Sequence, residues 1–213
     1  MADLEHIAEQ AHASFEARTQ ARDQALVTAR QITRHSAYAI RAIHREEWDL
    51  ADDHIAQARQ MVDDLVHNLK PHPDLYYAGY TQDAIKEFAE ASLVRAMVAN
   101  HPLPDPADLR LEMNTYLNGL AETVGELRRR CLDILRMGYS QEAGRLLSSM
   151  DEIYAILVTM DYPDAITNGL RRQTDLVRGI LERTRADLTI SLREDELKQK
   201  LDELSSRLDG TNQ

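Results

Sequence analysis

The first glycine of this chain is Gly79, so the first third of the sequence offers almost nothing that would break a helix. Glycine costs about 1 kcal/mol and proline about 3 kcal/mol relative to alanine inside a helix, so their absence over such a length favours long, uninterrupted helices. Only 8 glycines and 6 prolines occur in 213 residues, and Ala, Leu, Arg, Glu and Asp abound. Apolar positions at Ala25, Leu26, Ala29, Ile32, Ala39, Ile40 and Ile43 recur at helical spacing and predict one helix over 4–45. Arg30, Arg34, Arg41 and Arg45 sit among them, with His35 and His44, either as a solvated edge or as a strip for phosphates. After a turn near 46–49, a second helix is expected to about 70, with Leu50, Ile55, Ala58, Met61, Val62, Leu65 and Leu69 as its apolar stripe.

Pro71, Pro73 and Gly79 break the pattern, and Thr81 then stands where an N-cap is expected. The helix expected over 81–99 is apolar on nearly every side, which marks it as central to the fold. A second break at 101–106 ends in Asp105-Pro106, a helix start signal. From there a helix is expected to about Met137, closed by Gly138. Further helices are expected over 141–160 and from Pro163 through Leu188. Leu197, Leu201, Leu204 and Leu208 mark a short amphipathic segment, read as a cap on the bundle or a contact for a partner helix. The expectation is an all-α, single-domain bundle of six or seven helices over 1–190, then a C-terminal amphipathic helix and disordered tail over 191–213.

The net charge of −11 argues against a generic, uniformly basic nucleic-acid binder, although binding depends on the local field rather than the total. A single cysteine, Cys131, excludes an internal disulfide framework and fits a reducing cytoplasm. The N-terminus lacks the basic and apolar regions of a signal peptide, and no run of about 20 apolar residues is present to span a membrane.

Two close carboxylate pairs stand out, Glu87 with Glu90 and Glu122 with Glu126. Three- and four-residue spacings put both members of each pair on one side of a helix, one turn apart. If the two helices face each other, four carboxylates could hold a divalent cation. Glu87 shares a stripe with Ala84, Ala91, Val94 and Val98, and a buried carboxylate there needs a cation, a metal or a proton. Periodicity instead places Glu122 and Glu126 on a polar face with Thr115, Asn118, Arg129 and Asp133, where Glu126 and Arg130 read as an ordinary ion pair. Gly119 and Gly125 are odd beside that strip, and make sense where another backbone or a ligand comes close. No Glu-x-x-His accompanies the carboxylates, as a di-metal oxidase or storage bundle would require. Neither Gly-x-Gly-x-x-Gly, His-Glu-x-x-His, Gly-x-Ser-x-Gly nor Cys-x-x-Cys occurs.

The run from Tyr76 to Ala91 (YYAGYTQDAIKEFAEA), followed by Tyr116 to Leu127 (YLNGLAETVGEL), resembles the translin/TRAX family. Arg30-Gln31-Ile32-Thr33, Met137-Gly138-Tyr139-Ser140 and the stretch Leu176 to Leu188 agree in order and spacing, so the resemblance covers about residues 20–190. It implies an all-α fold that assembles into a closed oligomer, here a homo-oligomer of hexamer to octamer size. It also implies handling of single-stranded RNA, with single-stranded DNA as a second ligand. TRAX-type members are magnesium-dependent endoribonucleases, and translin-type members bind nucleic acid without most of the acidic site. The TRAX-type pattern is matched by Glu87, Glu90, Glu122 and Glu126, which the resemblance makes the metal-binding and catalytic acids for Mg²⁺ or Mn²⁺. The family's first acid in the second pair is commonly Asp, where this chain has Glu122. The expected function is a metal-dependent endoribonuclease, with a non-catalytic RNA/DNA-binding ring as the alternative. Arg34, Arg41, Arg129, Arg172 and Arg178 are the arginines expected to hold the nucleic-acid backbone.

Overall fold

The computed structural model describes residues 3–211, with side chains to 208. Long helices dominate because the stretches between breakers are long. The described residues form α1 (Leu4–His44), α2 (Trp48–Asn68), α3 (Pro73–Tyr76), α4 (Gly79–Val98), α5 (Pro106–Leu109), α6 (Met113–Leu135), α7 (Gln141–Leu157), α8 (Asp164–Thr167) and α9 (Leu170–Thr211). Three of these, α3, α5 and α8, are single turns, so six long helices carry the fold. None of the described helices is long and apolar enough to cross a membrane.

Contacts group the chain into two compact units, one of Met1–Arg95 with Leu103–Gly119 and one of Ala96–Pro102 with Leu120–Gln213. In the first unit α1 and α2 pack as a hairpin. Asp3 caps the start of α1, and Glu46 takes a positive φ of 59° in the turn between the helices. The hairpin buries Ile32, Ala39, Ile43, Ala51, Ala58, Val62 and Leu65. Ala39 and Ile40 of α1 form a cluster with Ala91 of α4, against which Ile55 of α2 packs. Arg95 is bound bidentately by Asp52, Nε to Oδ1 at 2.7 Å and Nη2 to Oδ2 at 2.9 Å, with its guanidinium 4.9 Å from the Trp48 ring.

Thr81 does not cap α4. The helix starts two residues earlier, and the buried Thr81 hydroxyl instead donates to the Leu75 carbonyl at 2.7 Å. Asp105 and Pro106 do start a helix, with a capping box to Asp108, but it lasts one turn because Arg110 takes the left-handed conformation. The long helix then restarts at Met113.

In the second unit α7 packs on α9. Ser140 caps α7 by accepting from the Glu142 amide. Leu146, Met150, Leu157, Leu170, Val177 and Leu181 are buried. Arg145 donates to the Met97 and Val98 carbonyls at 2.8 and 3.2 Å, satisfying acceptors that the end of α4 leaves open. Cys131 is fully buried, its thiol 3.7 Å from the Ala143 carbonyl, and burial pushes its pKa up to about 11.

The separate helix expected beyond residue 190 is the continuation of α9, which runs without a break to Thr211. Leu197, Leu201, Leu204 and Leu208 are each more than half exposed, so they do not cap the bundle. Of the tail expected to be disordered, Asn212 and Gln213 lie outside the described residues.

The two odd glycines of α6 have different surroundings. A Cβ on Gly119 would lie 2.8 Å from the Ala89 Cβ, 3.1 Å from the Lys86 carbonyl oxygen and 3.2 Å from the Glu90 amide nitrogen. A Cβ on Gly125 would meet nothing within 4 Å. Gly119→Ala is therefore expected to destabilise the fold by ~1–3 kcal/mol through overpacking. Gly125→Ala is expected to stabilise it by ~0.5–1 kcal/mol through helix propensity alone. Urea unfolding of both variants measures the contrast, and equal stabilities would contradict the close approach at Gly119.

Candidate functional site

The site begins with how α4 and the first turns of α6 are fitted together. Gln82 Nε2 donates to the Tyr76 carbonyl at 2.8 Å, and its Oε1 accepts from Thr115 Oγ1 at 2.8 Å. One turn further along each helix, Gly119 sits against Lys86, Ala89 and Glu90. Thr115 and Asn118, which periodicity assigns to a solvated face, are each buried at 5% exposure. Their polarity is used internally: Thr115 bonds Gln82, and Asn118 Nδ2 donates to the Asn114 carbonyl at 2.8 Å. The polar stripe of α6 is thus an interior stripe over its first turns.

On α4, Glu90 is buried at 9% exposure and Glu87 is half-buried. Glu122, half-buried on α6, accepts from Gln173 Nε2 of α9 at 3.0 Å. Glu87 and Glu90 stand one turn apart on α4 in the first unit, and Glu122 stands on the part of α6 that belongs to the second. Glu126, one turn after Glu122 on α6, has a side chain 25% exposed, with Oε2 3.6 Å from Arg129 Nη1. Like charges one turn apart on a helix, as Glu87 and Glu90 are, raise one another's energy unless a cation or protons offset them. Gln173, which the sequence reading missed, fixes the orientation of Glu122. An amide on a helix some 50 residues away leaves no local pattern that would reveal it.

The expected arginines fall into two groups. Arg178 pairs with Glu182 at 3.1 Å and Arg129 faces Glu126, so both have carboxylates on their own helix. Arg34, Arg41 and Arg172 are exposed, and none has a carboxylate within ion-pair distance among the described residues. Beside Arg34 and Arg41 lies a ring cluster that joins α1 to α2. His35 Nδ1 and His54 Nδ1 are 3.1 Å apart, and the ring centroids are separated by 5.2 Å. Such a contact needs at least one neutral imidazole to accept. Burial, then His54, then Arg34 hold His35 below its ordinary value of 6.5.

A histidine held below its ordinary pKa binds fewer protons folded than unfolded. Its stabilising contribution is complete above 6.5 and falls as the pH drops through that value towards the lowered folded one. Between about pH 7.5 and pH 5.5 the wild-type protein should therefore lose more thermal stability than His35→Gln. Melting temperatures at the two pH values check this; parallel losses in both proteins would remove the His35–His54 contact from the account.

No family model matches the chain. The uncharacterized protein MJ0175 of Methanocaldococcus jannaschii is 30% identical over 182 residues, covering 84% of this chain and 80% of that protein. The structure of an AfC3PO–duplex RNA complex matches with a TM-score of 0.82 and 29% identity, over 88% of this chain and 97% of that one. The crystal structure of AfC3PO matches with a TM-score of 0.81 and 28% identity over the same shares. Apo-NeC3PO shares the fold, with a TM-score of 0.80 at 17% identity, over 90% of this chain and all of that one.

Proposed function

Because this chain belongs to the translin/TRAX family, we propose that it is a metal-dependent endoribonuclease acting on single-stranded RNA within a homo-oligomeric shell. The observation that carries this reading is the carboxylate pair one turn apart on α4, Glu90 buried and Glu87 half-buried, together with the half-buried pair Glu122 and Glu126 on α6. The AfC3PO structure with duplex RNA supports a nucleic-acid ligand.

The donor set fits a hard cation. Three carboxylates, one buried and two half-buried, suit Mg²⁺ or Mn²⁺ and lack the nitrogen and sulfur donors that favour zinc or copper. When bound, such a cation supplies a Lewis acid for a phosphoryl oxygen and makes nearby water more acidic. Glu87, Glu90 and Glu122 are the residues that would hold it. Gln173 keeps Glu122 in place by donating to one of its oxygens. Glu126, one helical turn beyond, is assigned as the general base that takes the proton of the attacking water on its carboxylate. Arg34, Arg41 and Arg172 hold the RNA backbone, with Arg129 and Arg178 engaged after exchanging their carboxylate partners for phosphate.

The exposed arginines would serve equally well in a non-catalytic binding ring, so the decisive experiment measures cleavage and binding on the same purified proteins. Wild-type protein should cut labelled single-stranded RNA in Mg²⁺ or Mn²⁺ and stop in EDTA. Glu122→Gln should lose about 100-fold or more in rate, and Glu126→Gln about 10²–10⁴-fold. Both variants should bind RNA within about threefold of wild type, because the phosphate contacts lie on arginines. Undiminished cleavage by Glu122→Gln, or cleavage indifferent to EDTA, would replace the nuclease by the binding ring. Preferential cleavage of duplex RNA would correct the assigned substrate.

A further inference from the structure

From Gln24 through the end of α1 to its C-cap Arg45 the sequence contains no acidic residue, on a chain whose net charge is −11. Arg30, Arg34, Tyr38, Arg41 and Arg45 fall within about 80° around the helix and extend over about 22 Å of its length. All five are exposed. None of the four arginines has a carboxylate within ion-pair distance among the described residues. Such a stripe is a track for phosphates, and arginines alone would read no base.

Tyr38 interrupts the track with an aromatic ring, 40% exposed at the middle of the stripe. Neighbouring rings hold it in place. The His54 ring, from α2, lies 5.3 Å from it at 46°, and the His35 ring lies 6.5 Å away, edge-on at 73°. The His35–His54 contact at 3.1 Å ties those two imidazoles together. The Arg41 guanidinium sits over the tyrosine ring, 4.9 Å from its centroid.

Building on the reading that this protein handles RNA, we propose that Tyr38 is a nucleobase-stacking position for single-stranded RNA at the centre of the α1 arginine stripe. An incoming base takes the place of the Arg41 guanidinium on the ring. The displaced guanidinium turns to the adjoining phosphate, exchanging a cation–π contact for an ion pair. Stacking of this kind needs an unstacked base, so the position favours single strands over duplex and tolerates all four bases. The imidazoles behind the ring keep it from collapsing onto the helix when no base is present.

The test measures the affinity of the full-length protein for a labelled oligouridylate, for the same oligomer carrying abasic residues, and for a duplex. Fluorescence anisotropy in EDTA over a series of salt concentrations suits all three. Tyr38→Leu should weaken oligouridylate binding by about 5- to 100-fold and leave the salt dependence unchanged, since no phosphate contact is lost. Tyr38→Phe should bind like wild type, which also controls for folding. The abasic oligomer should bind wild type and Tyr38→Leu equally. Arg34→Gln should lower the salt slope by about one, the signature of a lost phosphate contact. If wild type binds RNA and Tyr38→Leu matches it, or loses affinity equally for the abasic oligomer, the stacking position is refuted while the RNA reading stands. If wild type binds neither oligomer nor duplex, the RNA reading and the stacking position fall together.

Discussion

The approach of α6 to α4 at Gly119 is the contact on which the candidate site depends. With no Cβ at this position, the backbone of α6 comes against the Lys86 carbonyl and the Glu90 amide. The Gln82–Thr115 hydrogen bond, one turn earlier on each helix, fixes the register of the same seam. Glu90 lies at this seam, and its side chain is buried there. A carboxylate at 9% exposure is tolerated only where its charge is answered, by a cation, a metal or a proton.

Much of the fold was legible because helix punctuation is local. Ser140 starts α7 where the sequence places a helix start, whereas α6 ends at Leu135, two residues before the expected end at Met137, and Gly138 follows with a positive φ of 114°. Thr81 shows where that logic stops. A threonine after a glycine looks like a cap, yet a carbonyl six residues back offers its hydroxyl a buried partner. Asp105 shows a second limit, since a start signal says nothing about length, and Arg110 ended the helix after one turn.

The site was legible in its members more than in their surroundings. Carboxylate spacing and family resemblance selected Glu87, Glu90, Glu122 and Glu126 without indicating how deeply each is buried or that Gln173 would bond Glu122. Periodicity assigned Thr115 and Asn118 to solvent because a buried polar residue and an exposed one look alike until the partner is known. The arginines divide for the same reason: Arg178 finds Glu182 one turn away, while the acid-free run of α1 leaves Arg34 and Arg41 facing solvent. A chain with an acidic total can carry a basic track when its charges are segregated along the sequence.

Burial of the only cysteine has a practical consequence. With its pKa at about 11, about one Cys131 molecule in ten thousand is a thiolate at neutral pH, and the sulfur is out of reach of solvent in any case. The native protein therefore has a silent thiol background. A cysteine introduced on an exposed face of α1 or α9 would be the one reactive thiol per chain. A spin label or fluorophore could be attached there without first removing Cys131 and disturbing the core around it.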